Sequence, residues 1–313
     1  MTELARLIGI LNGSILLAMA AMVFAGGVAA DDETEIVVVY PKVREPFAAL
    51  YRDYLVGISE TVPGKVTEYA INGESQASLA KAVDLSPPDV FMAIGNKSVK
   101  IADQVRGGRP LVAVVANRQY ESVLSGGILL KPSADVYMAN LLDIYDKIHK
   151  IYVVYSPEYD QDLVNDAKTI AERRGIVFTA VKATDIREAA AGYQKFLQEA
   201  KAYSAIWLLP DNGFLDSSLL STILDVAWEK KLIVFSSNPL FVKHGALFAV
   251  YPDNRGVGVT LGEIALSVEN GEKLPLQPLR DVRLAVNERT INHLGIDLSP
   301  EVRRRIELML PGR

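Results

Sequence analysis

Residues 36–41 read IVVVYP, and residues 151–157 read IYVVYSP, 115 positions later. At the same offset 89-DVFMAIGNK-97 aligns with 204-SAIWLLPDN-212. At an offset of 121, 110-PLVAVVAN-117 aligns with 231-KLIVFSSN-238. Each member of a pair is an apolar, β-branched run that ends in a small or polar cluster. Runs of this kind are strands buried on both faces. Their recurrence in order means that one α/β plan has been used twice, with a cleft between the copies.

Outward from these pairs, strands are expected at 35–40, 66–71, 89–94, 110–115, 127–130, 151–155, 176–181, 205–209, 232–236, 246–251 and 282–286. Helical spacing fills the intervals. Leu50, Tyr54, Ile58 and Val62 recur every fourth position, and Leu163, Ala167, Ile170 and Ala171 do the same before Gly175. A further stripe runs through Leu219, Leu220, Ile223, Leu224 and Ala227, and a helix from near Arg255 closes at Gly271. The Pro-rich stretch 274-LPLQPL-279 reads as a connector to the last strand, and a helix is expected around 300–310, with Arg303, Arg304 and Arg305 on its solvated face. Strand and helix alternate, so the fold class is α/β: two doubly wound, Rossmann-like lobes joined by a hinge. Crossovers are expected in 125-SGGILLKPSAD-135 and near 251-YPDNRG-256. If the helix at 256–270 packs back on the first lobe, the lobes are discontinuous in sequence, and they are expected at 33–131 plus 253–279 and 132–252 plus 280–313.

The chain begins with a targeting pattern. Residues 15-ILLAMAAMVF-24 are uninterrupted apolar sequence between Asn12-Gly13-Ser14 and 25-AGGVAA-30, and Val28 and Ala30 suit the −3 and −1 positions of a cleavage site. The run is short for a membrane span. A signal peptide over 1–30 and a periplasmic location are expected, with an uncleaved anchor as the alternative. Both export the rest of the chain.

Bulk properties narrow the chemistry. The 313 residues are 50% hydrophobic and 23% charged, enough for a large core without staples. Net charge is −5, which argues against nucleic acid as a partner. There is no Cys, so disulfides, thiolate metal sites and a Cys nucleophile are excluded. His149, His244 and His293 are far apart in sequence, and there is no HExxH, P-loop, G-x-S-x-G or EF-hand pattern. Asp211 and Asp253 would be the one conceivable catalytic pair. No catalytic residue, metal site or cofactor is expected, and the chain is not read as an enzyme.

In a doubly wound sheet, ligands meet the loops beyond the carboxyl ends of the strands. Those loops carry Tyr40, Lys42, Asn96 and Asn117 in the first half. The second half supplies Ser156, Glu158, Tyr159, Asp211, Asn212, Asn238, Tyr251 and Asp253. This set suits hydrogen-bonded recognition of a small polar or zwitterionic molecule, with tyrosines for packing. An Asn or Asp at such a turn serves equally well as a helix cap, Asp211-Asn212-Gly213 is also turn chemistry, and Glu158 is also a carboxylate favoured by a helix dipole. Asn117 and Asn238 are kept in both copies, whereas Lys42 and Glu158 differ in sign at comparable turns. Opposite charges on the two lips point to a zwitterion.

Four stretches resemble a known family: 151-IYVVYSPEYD-160, 207-WLLPDNGF-214, 243-KHGALFAVYPDNRGVG-258 and 284-LAVNERTINHLGIDLSPEV-302. Together with the export signal and the duplicated lobes they look like an ABC-transporter substrate-binding protein of the periplasmic-binding type I class, within the branch of tryptophan-binding TrpX-like proteins. The resemblance covers roughly 33–310. It implies that Glu158, Asp211 and Asp253 face the cleft, that the ligand is small and amino acid-like, an aromatic one included, and that the partner is a membrane ABC permease. A monomer is expected. A ligand sensor with a separate membrane signalling partner is the alternative; a transcriptional regulator lacks a helix-turn-helix here. Asp160 and Gln161 depart from the family pattern, as do 254-NRGVG-258 and Lys97 in 95-GNKS-98. Ligand identity is therefore not carried over from the resemblance.

Overall fold

Strands in this chain are apolar on both faces because both faces are covered. In β1 (Glu35–Pro41), Ile36 and Val38 face one buried cluster while Val37 and Val39 face another. The structure, a computed structural model, describes residues 34–72, 75–209 and 213–310. The expected signal peptide and the candidate residues Asp211 and Asn212 lie outside them.

The first sheet contains β1, β2 (Lys65–Ile71), β3 (Val90–Ile94), β4 (Leu111–Val115), β5 (Gly126–Pro132) and β11 (Leu276–Leu279), in the order β11-β5-β4-β3-β1-β2. All its pairings are parallel. Helices α1 (Phe47–Thr61), α2 (Ser75–Leu85) and α3 (Asn96–Val105) connect the early strands. The second sheet contains β6 (Lys150–Tyr155), β7 (Val177–Lys182), β8 (Ala205–Leu208), β9 (Ile233–Ser236), β10 (Phe248–Pro252), β12 (Val282–Asn287) and β13 (Ile306–Leu310). Its order is β13-β12-β10-β9-β8-β6-β7, and only the β10–β12 pair is antiparallel. The intervening helices are α4 (Ala134–Ile144), α5 (Pro157–Arg173), α6 (Ile186–Glu199), α7 (Ser217–Glu229) and α8 (Pro239–His244). Then come α9 (Asn254–Glu269), α10 (Glu288–Leu294) and α11 (Pro300–Arg305).

The repeated sequence runs are equivalent strands: β1 with β6, β3 with β8, β4 with β9. In each sheet the strand order reverses beside the first strand of the copy, at β3-β1-β2 and at β8-β6-β7. These are two doubly wound sheets of one topology.

Three segments pass between the sheets: β5 to α4, β10 to α9, and β11 to β12. Helix α9 returns to the first sheet and lies on α1 at backbone contact. A Cβ built on Gly57 would collide with the Arg255 carbonyl, and one on Gly258 with the Tyr54 carbonyl. Val257, Leu261 and Ile264 of α9 then join Tyr54 and Ile58 of α1 in the core under the first sheet.

Two elements differ from the sequence expectation. The connector 274–279 contains a strand, β11, despite its prolines. It sits at the sheet edge, where a missing N–H leaves no ladder bond unmade. The terminal helix ends at Arg305, and 306–310 form β13 parallel to β12. Glu, Leu and Met favour helix intrinsically, but here pairing with β12 and burial of Ile306 and Leu310 against the second sheet's cores prevail.

A candidate ligand site at the strand ends and the hinge

The candidate residues of the first half sit at the ends of β1, β3 and β4. Tyr40 stacks on Tyr51 with ring centroids 5.9 Å apart, and its hydroxyl donates to Glu68 at 3.4 Å. Burial, then the Glu68 carboxylate, pushes its phenol above the usual range. Lys42 is exposed, and its backbone N–H donates to the Ile71 carbonyl at 2.8 Å. Gly95, with φ of 90°, turns the chain from β3 into α3. Asn96 and Asn117 are brought together across the two turns. Asn96 Nδ2 donates to Asn117 Oδ1 at 2.8 Å, and Asn96 Oδ1 accepts from the Ala116 N–H at 3.0 Å. Asn117 Oδ1 also accepts from the Gln119 N–H, capping the short 3-10 helix Arg118–Val123. Their side chains therefore fix the two loops to each other.

In the second half, Ser156 is buried at the start of α5, and its carbonyl accepts from the Tyr159 and Asp160 N–H groups. Glu158 and Tyr159 project from the first helical turn, both exposed. A hydrogen bond to Glu158, and that carboxylate's charge, raise the Tyr159 phenol. Asn238 Oδ1 caps α8 by accepting from the Leu240 N–H at 3.0 Å. Tyr251 is half-buried at the end of β10; burial first, then Glu307, raises its phenol. Asp253 stands at the crossing from β10 to α9 and makes an ion pair with Arg283 Nε at 3.1 Å.

The crossings are bonded to one another. The Ser133 N–H donates to the Leu279 carbonyl at 3.1 Å, and Arg280 donates to Asp135 at 2.7 Å. The Asp253 N–H donates to the Asp281 carbonyl at 2.9 Å, and Thr260 Oγ1 donates to Asp281 at 2.8 Å. Arg283 also donates from Nη1 to Glu307 at 2.9 Å. Beside this network lies a cavity of about 320 Å³, lined by Asn140, Asp253, Val282, Arg283, Arg305 and Glu307 among others. Two guanidinium groups and two carboxylates balance there.

Lys131 and Asp160 complete the junction. Lys131, at the end of β5, reaches across to the first turn of α5. It donates from Nζ to Asp160 Oδ1 and to the Tyr159 carbonyl, each at 2.8 Å. The Asp160 side chain is only 1% exposed. Sequence reasoning singled out Asp160 only as a departure from a family pattern, and missed Lys131, Arg283 and Glu307. A lone cation at the end of the apolar run 126-GGILLK-131 was the available signal for Lys131. Arg283 and Glu307 gave none, because their meeting depends on β13 pairing with β12.

Among the described residues no group of three His, Cys, Asp or Glu side chains is placed to hold a metal ion. Among the same residues no helix is long and apolar enough to cross a membrane.

Duplicated doubly wound sheets, joined by three crossings with strand ends turned to the junction, define a bilobed receptor fold of the periplasmic-binding type I class. A family model described as ABC transporter substrate binding protein matches residues 140–307, more than half of the chain, and the chain belongs to that family. No curated protein sequence matches it. Among solved structures it is similar to a ligand-free, open substrate binding protein with adhesive properties from Clostridium difficile, at 18% identity and a TM-score of 0.63, covering 90% of this chain and 100% of that one. It is also similar to an ABC domain in complex with L-Trp from Streptococcus pneumonia, at 17% identity and a TM-score of 0.51, covering 89% and 100%. A conserved domain protein from Vibrio cholerae matches at 18% identity and a TM-score of 0.51, covering 88% and 99%. Identities this low speak for the fold alone.

Proposed function

We propose that the protein is an exported receptor that closes two lobes over a small zwitterionic, amino acid-like ligand and delivers it to a membrane ABC permease. The lobes are residues 33–131 plus 253–279 and 132–252 plus 280–313, and the segment 1–30 is the export signal. The observation that carries the reading is the charge-balanced cavity at the crossings, which contains a buried carboxylate oxygen. The Asp253 side chain is 32% exposed; its covered Oδ1 lies 3.1 Å from Arg283 Nε, outside hydrogen-bonding geometry, and has no hydrogen-bond donor among the described residues. A partly exposed carboxylate whose only partner is an ion-pair contact is suited to a ligand that brings a hydrogen-bond donor. A volume of about 320 Å³ falls within the range of small-molecule sites.

The strand-end residues Lys42, Glu158 and Tyr159 line the approach in this reading, Tyr40 and Tyr251 supply aromatic walls, and Ser156 orients the first turn of α5. Asn96, Asn117 and Asn238 hold the loops in place and meet the ligand through their remaining amide groups. Closure draws only on contacts that improve in the closed state.

A thermal-shift screen of the purified protein against amino acids, sugars, nucleosides and small anions tests this. The pneumococcal protein of the same fold holds L-Trp, so aromatic amino acids belong in the panel. Binding to the folded state raises the melting temperature by mass action. The expected result is a shift confined to amino acids. Shifts with sugars or nucleosides alone would overturn the ligand class, and no shift with any compound would overturn the receptor reading.

A further inference from the structure

Arg283 lies in β12, outside every stretch that sequence reasoning marked as a strand-end loop. It is nevertheless one of the two cations that line the cavity at the crossings. Its Nε faces Asp253 at 3.1 Å and its Nη1 donates to Glu307 at 2.9 Å. A guanidinium has five N–H donors in a fixed fork. These two contacts leave Nη2 uncommitted among the described residues, on a group that lines the cavity. Arg305 lines it too, but its Nη2 is held by Asp143 at 2.8 Å.

The two partners of Arg283 are not equivalent. Glu307 is hydrogen-bonded to it, whereas Asp253 Oδ1 is held only by proximity and, among the described residues, is buried without a donor. We propose that Arg283 is the carboxylate anchor of the binding site. The Asp253–Arg283 ion pair is the contact it exchanges: Arg283 passes to the ligand carboxylate when the ligand ammonium takes Asp253. The proposal rests on the zwitterion reading above and names the residues that select it.

The selectivity follows from charge. A zwitterion replaces the Asp253–Arg283 contact with two complementary ones and leaves the cavity neutral. An amine without a carboxylate draws Asp253 away and returns nothing to Arg283. An acid without an ammonium adds a third negative charge beside Asp253 and Glu307. Discrimination then comes from the unpaired charge each wrong ligand leaves behind, as much as from the contacts the right one makes.

The test is calorimetric titration of two matched sets: L-phenylalanine, phenethylamine and 3-phenylpropionate, then L-leucine, isoamylamine and 4-methylpentanoate. The wild-type protein is expected to bind the amino acid of at least one set, and to bind its amine and acid measurably but far more weakly. Arg283→Gln should weaken the amino acid by about 10-fold or more, the usual scale for losing one charge-assisted hydrogen bond on a partly exposed side chain. The same variant should bind the amine as well as the wild type or better, because Asp253 is freed. Asp253→Asn should show the reverse pattern, with relative gain for the acid. A merely structural Arg283 would weaken amino acid and amine together, and that result, or no change in either, overturns the proposal. Should Arg283→Gln not fold, Arg283→Lys is read instead: it must keep the preference of amino acid over amine, and losing it counts against the proposal. Wild-type binding of some other class of compound sinks the zwitterion reading, and this inference with it; wild-type binding of amino acids without the split pattern sinks the inference alone.

Discussion

Asp160 shows how much depends on a single cation. Its side chain is 1% exposed, one oxygen is bound by Lys131 at 2.8 Å, and the other is buried with no hydrogen-bond partner among the described residues. A buried carboxylate deprived of its cation carries the full desolvation penalty. Lys131→Met should therefore cost about 3–5 kcal/mol in urea denaturation. Adding Asp160→Asn should recover most of that loss, since a neutral amide needs no counter-charge. A loss below about 1 kcal/mol in the single variant would show the pair to be weak, as exposed pairs are. At the first-lobe rim, the Tyr40 phenol is raised by burial first and Glu68 second. In a spectroscopic titration Glu68→Gln should bring it only partway back toward the ordinary value. A full return would mean that burial contributes nothing.

At the scale of elements, the pairing of α1 with α9 carries the return of the chain to the first sheet. Gly57 and Gly258 permit the two backbones to touch, and any side chain at either would meet a carbonyl oxygen that belongs to a helix. Gly258→Ala should destabilise by about 1–3 kcal/mol or more, measured by thermal or urea unfolding, because overpacking here must move a backbone. An unchanged melting temperature would contradict the close packing. The strands and most helices were legible in the sequence for a plain reason: runs such as 36-IVVVYP-41 bury both faces, and no other element is consistent with their length. The ends of the chain order were not. Residues 276–279 and 306–310 become strands only because β5 and β12 offer open edges, and local sequence does not encode a neighbour's edge.

For the whole molecule, the repeat located the junction, and the structure adds what holds it. Of the candidate residues, the strand-end positions could be read directly, because strand order and turn chemistry are local. The partners could not. Asn96 and Asn117, Lys131 and Asp160, and Arg283 with Asp253 and Glu307 all meet through tertiary folding. The three crossings are tied by hydrogen bonds and ion pairs among Ser133, Asp135, Asp253, Thr260, Leu279, Arg280, Asp281 and Arg283. Under the proposed closure, crossings so linked would move as one unit, and a ligand that exchanges the Asp253–Arg283 contact would act on their setting. Hinge motion of this kind is a recurrent response of bilobed receptors to ligand.

Small-angle X-ray scattering measures that motion without a probe attached to the protein. The radius of gyration is to be compared between the unliganded protein and the protein saturated with the amino acid that shifts its melting temperature most. A smaller radius with ligand, abolished in Arg283→Gln at the same ligand concentration, is the predicted result. An identical radius with and without bound ligand would contradict closure of two lobes over it.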